Sequence, residues 1–365
     1  MKLGLFMMPL HPPSRPLHEI CAEDAEKIIY ADTLGYDEAW VGEHISARTE
    51  QIASPLIFMA SLLRVTKQIR FGTGVIGLPN HHPALVAAEV AQFDHMSQGR
   101  LLFGIGPAGL SSDHELFGNT DPKVRNERLM ESIDIILRIW REEPPYDIVG
   151  KHWQVRITDS IVPSLGVGYL SKPYQQPHPP IVMSAMSPHS QSVATAAARG
   201  WDVVSANFTP EYTLVTHWQK YLEGCAASGR EPDGRQWRVA RNIIVAESDQ
   251  QALDWAMDPH GSNYYYFSYL WEVLQRANYT IVMKPDPATA DRDLTVEDMI
   301  ESMVVYGSPR SVAAKLAGLR ERIGPFGTLL LAAMDGSGVN HNRERTTMRR
   351  LAEDVLPVLR AASGT

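Results

Sequence analysis

The sequence predicts an α/β fold: a single closed parallel barrel of eight strand–helix units, an (α/β)8 TIM barrel, with insertions after strand 4 and after strand 7. Three observations carry this. Strand-length apolar runs alternate with helical patterns along the whole chain. The strands are apolar almost throughout rather than at alternate positions, which marks a parallel sheet covered on its outside. A length of 365 residues suits one barrel of roughly 250 residues plus insertions, so residues 1–365 are expected to form one domain.

The elements follow in order. Leu3–Met7 is a first strand, ended by the loop signal Met8-Pro9-Leu10-His11-Pro12-Pro13. Glu19–Leu34 reads as a helix stopped by Gly35, and Glu38–Val41 is the second strand. Ser54 caps a helix with Pro55 at its first position, and Leu56, Met59 and Leu63 share one face. Ile69–Ile76 is the third strand. His82-Pro83 opens a helix that turns Val86, Val90 and Phe93 inward and ends at Gly99. Leu101–Ile105 is the fourth strand, and Arg125–Trp140 is a periodic helix with Leu129, Ile133, Ile136 and Trp140 on its apolar face. An insertion spans about 142–180 and holds a hairpin near Val149–Val155. Ile181–Met183, Val203–Ser205, Val239–Val245 and Thr328–Ala332 supply the last four strands. A second insertion at about 258–297 carries the aromatic run Tyr264-Tyr265-Tyr266-Phe267.

Composition excludes several classes. Apolar residues at 44% and charged residues at 21% describe an ordinary globular chain with a large core. A net charge of −8 lacks the basic stripe of a nucleic-acid binder. Two cysteines, Cys21 and Cys225, give no disulfide framework, and a reducing cytoplasm is expected. The opening Met1–Phe6 run is broken too soon by Pro9 to be a signal peptide, and no stretch reaches a membrane span.

Barrel chemistry sits where strands end and loops begin. His44 closes the second strand there and can change its charge near neutral pH; the alternative is a histidine that caps a helix or bonds a carbonyl. Gly104-Ile105-Gly106-Pro107-Ala108-Gly109 has the G-x-G-x-x-G spacing. It follows the fourth strand rather than the first, and no acidic residue ends a strand about twenty positions on, so a dinucleotide site is disfavoured. A tight glycine loop admitting close approach of a ligand is the better account. In Ser184-Ala185-Met186-Ser187-Pro188-His189-Ser190, Ser187 is placed as an N-cap with Pro188 following, a geometry that suits phosphate. Thr73-Gly74-Val75-Ile76 ends the third strand, where glycine either relieves crowding or shapes backbone beneath a flat ligand. His81-His82 neighbour each other without metal-ligand spacing, and no metal centre is expected. No G-x-S-x-G elbow occurs. Tyr264–Phe267 is read equally as packing or as a pocket wall.

Taken together, Met1–Phe6, Leu34–His44, Phe71–Val75, His82-Pro83, Asp94–Leu101, Phe103–Gly106 and Tyr306–Pro309 resemble the bacterial luciferase-like flavin-dependent monooxygenase family over nearly the whole chain. Within it the chain resembles the limonene-type monooxygenases and the diketocamphane Baeyer–Villiger oxygenases. The resemblance implies reduced FMN supplied by a separate flavin reductase, O2, and a C4a-(hydro)peroxyflavin that inserts one oxygen atom into a small, largely apolar substrate. It implies His44 as the catalytic residue, acting in its neutral form. Gly74 and Val75 match a non-proline cis peptide under the flavin, Gly106 and Gly109 the loop beside it, and Ala185, Met186, Ser187 and Ser190 the phosphate turn. Met8, His11, His82, Tyr264 and Phe267 are candidate substrate-pocket residues, and a homodimer is expected. Two departures bear on activity. Luciferases carry a second histidine where this chain has Ile45, and a cysteine and an arginine where it has Gly106 and Pro107. The alternatives are a coenzyme F420-dependent oxidoreductase that transfers hydride, and a non-catalytic flavin-binding protein.

Overall fold

The computed structural model describes residues 1–8 and 10–362. Its strands, in chain order, are β1 Lys2–Met7, β2 Glu38–Val41, β3 Arg70–Thr73, β4 Ile76–Gly77, β5 Leu101–Gly106, β6 Tyr146–Val149, β7 Gln154–Ile157, β8 Ile181–Ala185, β9 Asp202–Ser205, β10 Trp237–Val245, β11 Val304–Gly307 and β12 Thr328–Ala333. Pairing runs β11-β10-β12-β1-β2-β3-β5-β8-β9, and β9 pairs again with β10. The cyclic part holds eight strands joined through helices, which is the (α/β)8 barrel that the strand–helix alternation predicts. All eight predicted strands are present. The third is split by the Gly74–Val75 bond into β3 and β4. β11 is an additional strand, parallel to β10 from Asn242↔Val304 to Val245↔Gly307.

Contacts divide the chain into two compact units, residues 1–40 with 182–365, and residues 41–181. In the first, β1 runs parallel to β12 from Lys2↔Thr328 to Met7↔Ala333. Gly4 is required there, since a Cβ would come within 2.7 Å of the Glu38 carbonyl oxygen. The interior of this unit holds a buried ion triad. Arg238 Nε lies 2.7 Å from Glu38 Oε2 and its Nη1 lies 2.7 Å from Asp202 Oδ2, while the Trp40 indole N–H donates to Glu38 at 2.9 Å. Removing one member of such a triad costs roughly 3–5 kcal/mol, because the remaining charge is left uncompensated in low dielectric.

The second insertion lies in the same unit and is ordered rather than loop-like. Ser262–Arg276 is a helix that carries the whole aromatic run. Its Tyr266, Phe267 and Trp271 pack with Leu10, Phe208, Met283, Met299 and Met334. A polar chain keys the helix to the strands. Asn207 Nδ2 donates to Asn242 Oδ1 at 2.6 Å, Asn242 Nδ2 donates to Asn263 Oδ1 at 3.0 Å, and the Tyr266 hydroxyl donates to Asn207 Oδ1 at 3.2 Å. All four residues are buried.

In the second unit, the helix predicted from Arg125 starts at Pro122. Asp121 caps it, accepting the Lys123 N–H at 2.8 Å, and Pro122 stands at a position where its missing N–H costs nothing. The hairpin of the first insertion is β6–β7, registered Tyr146↔Ile157 to Val149↔Gln154. Glu131 holds its turn by accepting the Lys151 N–H at 3.0 Å and the Trp153 N–H at 2.8 Å. No described helix is long and apolar enough to cross a membrane.

Candidate active site

His44 stands three residues beyond β2, in the unit of residues 41–181. Its backbone N–H donates to the Ile52 carbonyl at 3.1 Å, which closes the loop between them. Within that loop the side chain meets Glu50, with Nε2 2.7 Å from Oε2. Asp113, from the short helix Ser111–Leu116, places Oδ2 3.9 Å from His44 Nδ1. That carboxylate is already engaged, accepting the Ile45 N–H at 3.3 Å and the Ser46 N–H at 2.9 Å. His44 Nδ1 is therefore buried with no hydrogen-bond partner among the described residues.

Burial disfavours a charged imidazole at this position. The charge and hydrogen bond of Glu50, with smaller contributions from Asp113 and Glu43, outweigh it and hold the His44 pKa above the ordinary 6.5. Relative to a free histidine, these surroundings shift His44 toward the imidazolium, against the direction that a neutral ring would need.

The neighbouring Glu43 braces the following segment. Its Oε1 accepts the Gly77 N–H at 3.0 Å and lies 3.1 Å from His81 Nε2. Between these anchors the Gly74–Val75 peptide is cis, and the Gly74 N–H donates to the Val41 carbonyl at 2.7 Å. Thr73 Oγ1 donates to the Gly104 carbonyl at 2.7 Å, tying the ends of β3 and β5.

The loop after β5 differs from its glycine-based expectation. The left-handed residue is Ala108, at φ 64°, and not a glycine. A Cβ built on Gly109 would have no atom within 4 Å, so protein packing does not demand glycine there. Gly109 is exposed, so a side chain there would meet solvent. His114 follows on the Ser111–Leu116 helix, and its Nε2 is a second buried ring nitrogen without a partner.

The turn Ala185–Ser190 lies in the other unit and is built differently from the sequence expectation. The helix there is Gln191–Arg199, Ser190 takes the N-cap position, and no side chain makes the capping bond. Ser187 is not the cap; its carbonyl accepts instead from His217 Nε2 at 3.0 Å. The Ser205 hydroxyl stands 2.8 Å from His217 Nδ1 and also receives the Trp237 indole N–H at 2.9 Å. Thr216, next to His217 on the helix Glu211–Ser228, accepts the His189 N–H at 2.9 Å. Burial, with Arg241 adding its charge, drives the His217 pKa down to about 4. The ring is neutral, carries its hydrogen on Nε2, and pins the turn.

Three of the candidate pocket residues are reassigned. His11 is fully buried between carboxylates, with Nδ1 2.8 Å from Asp335 and Nε2 3.2 Å from Asp24. Arg15 and Lys27 neutralise the same acidic group, Arg15 Nη1 lying 2.6 Å from Asp335 and Lys27 Nζ 3.6 Å from Asp24. His11, Glu23 and Asp24 bring ligand atoms within 4.8 Å of one another, but these cations already occupy the cluster. His82 is exposed. It caps the helix Pro83–Ser97 through the Ala84 N–H at 3.3 Å, as its place before Pro83 requires, and edges onto Trp153 at 5.5 Å. Phe267 is wholly buried core. Tyr264 is half-buried, its hydroxyl donating to Glu297 at 2.9 Å, and Met8 and Met186 pack on the margin of the aromatic cluster.

Sequence reasoning missed Glu50, Asp113 and His114. They follow His44 by irregular spacings and sit on a loop and a one-turn helix, where no periodicity marks them. The only available signal was their chemistry near strand ends.

The unpaired ring nitrogen of His44 on this strand-end loop is the feature of the site that a ligand could meet. The chain belongs to the luciferase-like monooxygenase family, whose model matches residues 1–325. It is 31% identical over 357 residues to 4-hydroxyprotoasukamycin monooxygenase of Streptomyces nodosus subsp. asukaensis, covering 96% of this chain and 89% of that protein. It is 28% identical to limonene 1,2-monooxygenase of Rhodococcus erythropolis, over 97% of this chain and 85% of the relative. Among solved structures it matches, at a TM-score of 0.87 and 25% identity over 98% of each chain, the oxygenating constituent of 3,6-diketocamphane monooxygenase from the CAM plasmid of Pseudomonas putida. That protein is a type II Baeyer–Villiger monooxygenase and was solved in complex with FMN.

Proposed function

We propose that the protein is the oxygenase of a two-component flavin monooxygenase. It takes reduced FMN from a separate reductase, by diffusion or contact, and uses O2 to place one oxygen atom in a small, largely apolar organic molecule. The second oxygen atom leaves as water. The observation that carries this reading is the buried, unpartnered His44 Nδ1 in a chain of this family.

Bound FMN would supply two electrons and the carbon centre at which oxygen is activated; the protein supplies position, protons and exclusion of water. His44 would give or take a proton at Nδ1, held in place by Glu50 and by its own backbone bond to Ile52. The Gly74–Val75 backbone and the loop from Gly106 to Gly109, where a side chain at 109 would meet nothing, are the proposed support for the ring. In the other unit, the turn Ala185, Met186, Ser187 and Ser190 is the proposed phosphate holder, relying on backbone N–H groups and hydroxyls. Met8, Met186 and Tyr264 are the remaining candidates for substrate contact, and their chemistry suits an apolar or aromatic molecule.

Anaerobic titration with reduced FMN, followed by oxygen-uptake screening on terpenes, cyclic ketones and aromatics, tests the reading. Tight binding and substrate-dependent uptake are expected. Tight F420 binding without oxygen uptake would instead establish hydride transfer, and flavin binding without turnover on any substrate would establish a binding protein. His44→Ala is expected to lower coupled oxygenation by about 10²–10⁴-fold, the usual scale of general acid–base assistance, and to raise hydrogen-peroxide release with little change in flavin affinity.

A further inference from the structure

We propose that Glu50 is a positioning residue for His44: by holding Nε2 it makes Nδ1 the nitrogen that exchanges a proton with the reacting groups. This rests on the functional reading above for its purpose, but not for its geometry.

Glu50 is 5% exposed, and its Oε2 sits 2.7 Å from His44 Nε2. As a carboxylate, Glu50 can only accept at this contact, so Nε2 keeps its hydrogen whether the ring is charged or neutral. The tautomer is fixed by that bond. Nδ1 is then the ring nitrogen that titrates, and it is the one with no partner among the described residues. The charged groups facing the ring are Glu50, Asp113 and Glu43, all acidic. Asp113 stands 3.9 Å from Nδ1, too far to accept its hydrogen, and its oxygens are taken by the Ile45 and Ser46 N–H groups. When the imidazolium releases its Nδ1 proton, the ring becomes neutral with its hydrogen still on Nε2, facing Glu50. Uptake of a proton at Nδ1 reverses this.

The arrangement orients a histidine through a third group, and loss of such a partner typically costs roughly ten- to a hundredfold in activity. The same contact sets a pH dependence. The charged ring is favoured up to the raised pKa and lost above it, so a reaction that needs the Nδ1 proton fades on the alkaline side.

The test uses protein labelled with ¹⁵N at histidine, without flavin, in long-range proton–nitrogen correlation spectra across pH. His44→Gln assigns the signals by their loss. In the wild type, Nε2 is expected to stay protonated throughout while Nδ1 titrates with a midpoint above the ordinary 6.5. Glu50→Gln keeps the shape and an acceptor but removes the charge, and is expected to move that midpoint down. It should move the alkaline limb of coupled oxygenation down with it, leaving FMN affinity and the thermal transition close to wild type. Glu50→Asp, which restores the charge, should recover part of the shift. Titration at Nε2 in the wild type, or an unmoved midpoint in Glu50→Gln, overturns the proposal. A wild type that consumes no oxygen with reduced FMN sinks the functional reading instead, and leaves the nuclear-magnetic-resonance outcome to decide Glu50 by itself.

Discussion

His44, half-buried with an enclosed Nδ1, and His217, fully buried, are imidazoles handled in opposite ways. His217 spends both ring nitrogens on neutral partners, Ser187 and Ser205, and its pKa falls to about 4. His44 spends one nitrogen on a carboxylate, keeps the other unpaired, and its pKa rises. A histidine that completes its hydrogen bonds with hydroxyl and carbonyl groups is a strut. One that is charged by a neighbour and left with a free nitrogen is equipped to move protons. His11 completes the series: its two nitrogens are both taken by carboxylates, its pKa rises to about 9, and it has nothing left to offer a ligand.

The contrast can be broken most sharply by paired substitutions. His44→Gln, whose amide can still donate to Glu50, should cost on the order of the 10²–10⁴-fold in coupled turnover given for His44→Ala while leaving the denaturation midpoint near wild type. His217→Ala should do the reverse. It strands the Ser187 carbonyl and the Ser205 hydroxyl, an expected loss of about 1–3 kcal/mol in urea unfolding, with turnover affected only as far as the turn loosens. Equal effects of the two variants on turnover would erase the distinction.

A second measurement sharpens it through pH. The folded pKa of His217 is depressed from 6.5 to about 4, so the unfolded chain binds more protons in that window. Its contribution is complete above pH 6.5 and is lost as pH falls toward 4, amounting to about 3 kcal/mol. His11 has the opposite sign. Its folded pKa is raised from 6.5 to about 9, so its contribution is complete below 6.5 and lost as pH climbs to 9, again by about 3 kcal/mol. His11→Gln should flatten the alkaline arm of unfolding free energy against pH, and it should also shrink the acid arm, because His11 helps hold the Asp335 carboxyl well below its usual range. An unchanged alkaline arm would show that His11 is not the group responsible.

The smallest effect belongs to Ser190→Ala. Ser190 occupies the N-cap of Gln191–Arg199 but makes no capping bond; its hydroxyl pairs with Ser192 at 2.8 Å. The variant should stay within about 0.5 kcal/mol of wild type, against about 1 kcal/mol for a working cap.

The barrel was legible because apolar strand runs and helix start signals are local. Asp121-Pro122, Ser54-Pro55 and His82-Pro83 each announce a helix by chemistry confined to a few residues. The strand-end position of His44 was legible for the same reason, because it closes an apolar run. The Ser187-Pro188 pair misled because its cap pattern is locally valid, whereas a tertiary bond from His217 pulls the Ser187 carbonyl out of the helix path. Glu50, Asp113 and the carboxylates around His11 escaped notice because their significance arises only when residues far apart in the chain are brought into bonding range. The aromatic run was ambiguous because a buried helix face and a pocket wall have the same composition.

The Asn207–Asn242–Asn263–Tyr266 chain has a consequence for how far the helix Ser262–Arg276 can move. A helix seated only on Met and aromatic side chains could slip or roll with little penalty. This one would strand buried amides with each step, at about 1–3 kcal/mol apiece. The 262–276 segment is therefore keyed to the strands in one register and moves only with them.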